Sequence, residues 1–293
     1  MKRWKFTALL VLASLGICTI LSAAVWVRPK RWTQKPANAS VNFGHPLSRG
    51  LRVLAPLMEY GGYSVGNSTG KPPWRELVRQ RPVTVSASGI VKPVFTQGGM
   101  GVNFSDINTL FAFGTDTDLS LPTTHITVLL IRRKTDATNR ASSAFGIPGV
   151  SGSNILNAHV PYSDGIVYWD FGGNSSPNRV SYSPASVAGV QKWAFVAGSK
   201  GMVIYLNGIA QVSSSTAVTR TNSGSDFYLN QGNANGDLQD VYFFAVLDSE
   251  WTADEVRWWV NEPFAMLSAT PARYKRGTVA VSASSKGRPI IVP

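Results

Sequence analysis

From Val41 to about residue 247 the chain is a succession of short apolar or alternating runs, broken by clusters of Gly, Asn, Asp, Pro and Ser. A two-residue period interrupted by turn formers is the pattern of an antiparallel all-β fold. It predicts strands over 93–96, 101–105, 110–114, 124–133, 142–147, 153–159, 165–171, 178–182, 190–199, 201–207, 210–213, 225–230 and 237–247. In 124–133, Ile126, Val128 and Leu130 interleave with Thr127, Leu129 and Ile131. Both faces of that strand are apolar, which places it in the middle of a sheet. Asn207-Gly208 after MVIYL is the strongest hairpin signal, because both central residues of a type I′ turn need positive φ.

The period changes once. Thr252 followed three residues later by Glu255 is a capping box, and Val256, Trp259 and Val260 then fall on one helical face until Asn261-Glu262-Pro263 stops the run. A short amphipathic helix at the end of a β domain has an apolar face to hide, and the sheet is the partner at hand. Adjacent Trp258 points about 100° away from Trp259. With Arg257 it belongs at the helix edge, against a loop or a neighbouring subunit. No repeat of a propeller or solenoid is visible.

The ends of the chain differ from its middle. Phe6–Val27 is an uncharged stretch, FTALLVLASLGICTILSAAVWV, with bases on both sides. At about 1.5 Å per residue it would span a bilayer core of roughly 30 Å. Residues 1–27 therefore read as a membrane anchor, or as a signal peptide with a small-residue end at Ser22-Ala23-Ala24. Residues 28–40 read as a basic linker arm, 41–270 as one folded domain, and 271–293 as a basic tail.

Composition sharpens this picture. Apolar residues make up 44% of the 293 and charged residues 15%, with 27 Gly and 17 Pro, which excludes an intrinsically disordered chain and favours short strands with tight turns. The net charge is +12, yet residues 1–40 hold seven bases and no acid, residues 271–293 hold five bases and no acid, and the middle balances sixteen against sixteen. A nucleic-acid-binding domain carries its basic face on the fold itself, so nucleic acid is not the expected partner. Cys18 is the sole cysteine, so no internal disulfide and no cysteine zinc site can form. His45, His125 and His159 are too scattered for a metal motif.

Several segments, taken in order, resemble the laminin G-like, concanavalin A-like jelly roll of tailed-phage virion proteins. They are RPKRWTQKPANASVNFGHPLSRGL (28–51), GVNFSDINTLFAFG (101–114), THITVLLIRRK (124–134), KWAFVAGSKGMVIYLNGIAQ (192–211) and GDLQDVYFFAVLDSEWTADEVRWWVNEPFAML (236–267). The resemblance covers roughly residues 28–270. It implies an antiparallel two-sheet jelly-roll sandwich with one short C-terminal amphipathic helix, and a lectin-like role binding carbohydrate or protein.

Within that frame the most informative stretch is NAHVPYSDGIVYWDFGGNSSPNR (157–179). Tyr162, Asp164, Tyr168, Asp170, Asn174 and Arg179 combine aromatic surface for the C–H face of a sugar with planar polar groups for its hydroxyls. Alternation puts Ile166, Tyr168 and Asp170 on one sheet face and Val167, Trp169 and Phe171 on the other, and only one set can face a ligand. Asp164-Gly165 also has the form of a turn. Calcium, the usual companion of the fold, would need six to eight oxygens, for which Asp116, Asp118, Asp237 and Asp240 are the candidates.

Some glucanases share the jelly roll, and a retaining glycosidase needs two carboxyl groups about 5–5.5 Å apart. Asp116 and Asp118 have i, i+2 spacing but fall at a loop, and the five glutamates (Glu59, Glu76, Glu250, Glu255, Glu262) lie off the expected strands. No nucleophile elbow, phosphate loop or His-Glu-x-x-His pair is present. The expectation is a non-catalytic, lectin-like virion protein, in a tail, fibre or decoration position, binding surface glycan or a neighbouring structural protein and open to self-association. The alternatives are an exported bacterial protein anchored through residues 6–27 and a glycan-cleaving enzyme on the same fold.

Overall fold

The computed structural model describes residues 39–57, 75–86, 91–96, 99–232 and 234–269. The apolar segment 1–27, the linker arm up to residue 38 and the tail 271–293 lie outside them. In chain order the elements are β1 (Ala39–Val41), β2 (Leu51–Ala55), β3 (Arg75–Glu76), β4 (Arg81–Pro82), β5 (Thr84–Ser86), β6 (Val91–Thr96), β7 (Gly99–Phe104), β8 (Leu110–Thr115), β9 (Ile126–Lys134), β10 (Phe145–Gly146), β11 (Leu156–His159), β12 (Val167–Phe171), β13 (Arg179–Tyr182), β14 (Val190–Gly198), β15 (Gly201–Leu206), β16 (Ile209–Ser214), β17 (Asp226–Leu229), β18 (Gln239–Leu247), α1 (Ala253–Asn261) and β19 (Leu267–Ala269).

Two antiparallel sheets carry the fold. One runs β13-β12-β11-β10-β17-β8-β5, and the other runs β16-β15-β14-β9-β18-β7-β6 with β2 paired to β18. Strand β9 lies between β14 and β18, as its two apolar faces require. Ile126, Val128 and Leu130 enter the core between the sheets, while Leu129 and Ile131 enter a second core on the opposite face.

Aromatic rings bridge the two sheets within a mostly aliphatic core. Phe145 of the first sheet stands 5.5 Å edge-on from Phe195 and 5.6 Å from Phe244 of the second, and Phe113 stacks on Phe244 at 5.6 Å. Such offset and edge arrangements suit the ring quadrupole and add about 0.5–1.5 kcal/mol per pair beyond area burial. This is an all-β antiparallel sandwich, as the alternation predicted.

Helix α1 seals the second core. Thr252 Oγ1 accepts from the Glu255 N–H, and Glu255 returns a carboxylate to the Thr252 N–H at 2.8 Å, completing the capping box. Val256 and Trp259 are buried, with the Trp259 ring 6.0 Å from Phe243 on β18. Burial of side chains such as Val256 and Phe243 contributes about 1.5–3 kcal/mol each. Trp258 is partly exposed, its ring 4.9 Å from His45 and its Nε1 donating to Glu262.

The differences from the sequence reading lie where alternation is short or replaced by side-chain bonding. Strand β2 and the segments 75–76, 81–82 and 84–86 carry no recognisable period, and residues 152–154 form a 3₁₀ turn where a strand over 153–159 was expected. Glu76, expected in a loop, is a buried residue of β3 whose carboxylate accepts from the Leu54, Val78 and Arg79 N–H groups. A carboxylate thus replaces the backbone partners that a longer strand would supply.

β1 and β19 form a separate ribbon with Ala39 opposite Ala269, tied further by Ser40 and Ser268 hydroxyls 2.9 Å apart. Residues 1–38 therefore join the fold beside the point at which residues 270–293 leave it.

Candidate functional site

Strands β11, β12 and β13 close one edge of the first sheet. Their register places His159 opposite Tyr168, Asn157 opposite Asp170, and Asp170 opposite Arg179. Period-two geometry sends Val167, Trp169 and Phe171 into the core, and all three are fully buried. Tyr168 and Asp170 consequently share the other face with His159 and Arg179. This is the division the sequence predicted for 165–171.

The chain between β11 and β12 folds back as a turn. Tyr162 N–H donates to the Ile166 carbonyl at 2.8 Å and Gly165 N–H to the Tyr162 carbonyl at 2.9 Å, with Gly165 at φ +82°. Asp164 holds the turn through Ile166 N–H (2.9 Å) and accepts the Tyr168 hydroxyl at 2.7 Å. It is both a turn residue and a member of the site. Beneath the turn, the buried Arg132 guanidinium donates to the Val160 carbonyl and pairs with Asp237 at 3.0 Å.

These elements enclose an open cavity of about 220 Å³ lined by His159, Tyr162, Asp164, Tyr168, Asp170, Asn174, Arg179 and Ala234. All six residues singled out in the sequence as ligand contacts line it together. Arg179 grips Asp170 with two parallel bonds, Nε to Oδ1 at 2.5 Å and Nη2 to Oδ2 at 2.6 Å, and its guanidinium lies 4.5 Å from the Tyr168 ring centre. This fork fixes the guanidinium plane over the aromatic face. Tyr162 packs edge-on against both His159 (4.7 Å) and Tyr168 (6.2 Å).

His159 was missed in the sequence, because only the β11–β12 register brings it beside Tyr168. Its Nδ1 lies 2.6 Å from the Ser142 carbonyl, which can only accept, so Nδ1 carries the proton and Nε2 accepts from Asn157 Nδ2 at 2.7 Å. Burial holds its pKa below the ordinary histidine value, against an opposing pull from the Ser142 carbonyl. At Asp164 burial pushes the pKa up, but the Tyr168 hydroxyl and the Ile166 N–H outweigh it and leave the carboxyl below its usual value. The ring is therefore neutral and the Asp164 carboxylate charged at neutral pH.

The calcium candidates turn out differently. Asp116 is fully buried and accepts from Arg220 Nη2 (2.5 Å), Ser223 N–H (2.9 Å) and Gly224 N–H (2.8 Å). Asp237 takes Lys134 Nζ at 2.8 Å as well as Arg132. Asp240 takes Arg133 Nε at 2.9 Å and Asn103 Nδ2 at 2.7 Å. Asp118 is exposed in a turn capped by Thr115 Oγ1. Three of the four carboxylates thus already neutralise the protein's own cations, and among the described residues no three His, Cys, Asp or Glu side chains gather as metal ligands. The donor set does not fit calcium.

No family model and no curated protein matches the sequence. Solved structures do. The chain is similar to Trypanosoma rangeli sialidase in complex with sialic acid, at 12% identity and a TM-score of 0.51 over 73% of this chain and 33% of that one. It is similar to the binding domain of botulinum neurotoxin DC in complex with rat synaptotagmin II, at 10% identity and a TM-score of 0.51 over 72% and 51%. A weaker likeness, with a TM-score of 0.48 and 13% identity over 61% and 88%, is to domain 4 of a Geobacillus stearothermophilus arabinanase in complex with arabinotriose. The fold is a jelly-roll β-sandwich. This chain spans about a third of the sialidase and half of the neurotoxin domain, and identities this low carry the fold alone. The neighbours include both an enzyme and a binding domain.

Proposed function

We propose that the protein is a non-catalytic, lectin-like module that holds a carbohydrate in the cavity between β11, β12, β13 and the 172–178 loop. The observation that carries this reading is the meeting of Tyr162 and Tyr168 with Asp164, Asn174 and Arg179 around one cavity. Aromatic surface with a few fixed donors and acceptors is what sugar recognition needs. The absence of catalysis rests on the carboxylates. The common two-carboxylate route of glycoside hydrolysis needs one protonated carboxyl facing an ionised one. Both Asp170 oxygens are bound by Arg179, and Asp164 is held ionised.

The test is a glycan array probed with the full chain, alongside an assay for reducing ends released from each bound glycan. Binding that Tyr162→Ala abolishes, with no release, supports the reading. Uniformly blank wells, or sugar release above background, would overturn it.

A place on a phage or prophage particle is part of the same proposal. It is supported by the five ordered segments of resemblance and by the two basic segments, whose junctions with the fold adjoin at Ala39 and Ala269. Those segments would dock the domain to neighbouring structural proteins. The apolar run 6–27 favours the second reading, an exported protein anchored in the bacterial envelope. Intact-mass measurement and fractionation of particles from membranes separate the two.

A further inference from the structure

We propose that this cavity selects uncharged glycans and turns away acidic ones, with Asp164 as the discriminating group; the inference rests on the carbohydrate reading above. His159 is neutral in a fixed tautomer, because Nδ1 donates to a carbonyl and Nε2 accepts from Asn157. Arg179 and Asp170 cancel, since both carboxylate oxygens are taken by one guanidinium. Behind the wall, Arg132, Lys134 and Arg140 share the carboxylates of Asp237 and Asp136, and none of these three cations lines the cavity.

Asp164 is the one lining carboxylate with no cation bonded to it. Its bonds come from the Tyr168 hydroxyl and the Ile166 N–H, both neutral donors that hold the carboxylate without cancelling its charge. Each of its oxygens retains a lone pair, so a sugar hydroxyl can donate there, while the guanidinium donors that Asp170 leaves free can meet a neighbouring hydroxyl oxygen. A sialic or uronic acid carboxylate at the same place meets a second carboxylate and finds the one lining cation already paired. In a half-open cavity that repulsion weakens binding by about tenfold or more, and added salt screens it.

The test measures dissociation constants for matched pairs, sialylated against desialylated forms of one glycan and uronic-acid against neutral oligosaccharides, in 50 mM and 500 mM salt. Neutral members should bind about tenfold tighter in low salt, and the ratio should shrink in high salt. In Asp164→Asn, which keeps the shape and removes the charge, the ratio should fall toward one whatever the absolute affinity. Equal or tighter binding of the acidic members by the wild type overturns the selectivity and leaves the carbohydrate site standing, as does a ratio indifferent to salt. Silence toward every glycan overturns the carbohydrate reading itself.

Discussion

Replacing Asp116 by alanine tests whether this carboxylate is a structural counter-ion or a metal ligand in waiting. The side chain is fully buried, and so is Arg220, whose Nη2 it accepts at 2.5 Å. The substitution strands a buried guanidinium and also removes the acceptor for the Ser223 and Gly224 N–H groups. Breaking one side of a buried pair costs about 3–5 kcal/mol. With a urea slope of about 3 kcal/mol/M, 4 kcal/mol lowers the unfolding midpoint by about 1.3 M.

Removing both partners behaves differently. Asp116→Leu with Arg220→Met exchanges an ion pair for apolar volume, which should recover the part of the loss due to the stranded charge, while the Ser223 and Gly224 N–H groups stay without their acceptor. Urea unfolding of the wild type, Asp116→Ala and the double variant, each with and without 5 mM calcium, forms the assay. A single-variant cost below about 1 kcal/mol would refute the counter-ion account. So would a calcium-dependent rise in midpoint that vanishes with Asp116.

Two further outcomes follow from the site and its flanking turn. Burial holds the folded His159 below the unfolded value near 6.5, so the unfolded chain takes up its proton first and stability falls as pH drops below about 6.5. The midpoint loss between pH 7.5 and 5.5 should therefore be smaller in His159→Gln than in the wild type, and equal losses would remove histidine from the account. Gly172 sits at φ +79° with a would-be Cβ 1.9 Å from the Thr219 carbonyl oxygen, whereas Gly149 at φ +70° has open space. Gly172→Ala should cost about 3 kcal/mol or more, from steric overlap added to strain, and Gly149→Ala about 1 kcal/mol. Similar costs at both would show that backbone angle, not the close contact, governs the turn.

The strands that the sequence revealed are those whose side chains alternate over several residues against a core. Residues 126–134, 190–198 and 239–247 advertised themselves because each supplies apolar groups to one or both cores. β2 through β5 did not. Two of them are only two residues long, and part of their bonding runs through the Glu76 carboxylate, which leaves no period to read. At the site, the segment 157–179 was recognisable from its mixture of rings and carboxylates. His159 and Ala234 were not, since pairing between strands and the approach of a distant loop bring them there.

Composition could nominate Asp116, Asp237 and Asp240 for a metal, but it could not show that Arg220, Lys134, Arg132 and Arg133 would reach them first. Hydrophobic period, turn residues and the capping box act within a few residues of chain, so the sequence by itself determined the β-sandwich class, the closing helix and the inward turn of Trp169 and Phe171. Which charges meet is settled over separations of about a hundred residues, such as the 104 between Asp116 and Arg220. Only the folded sheets bring such groups within hydrogen-bonding distance, and so only the tertiary structure decided that Asp164 would be the lining carboxylate without a bonded cation.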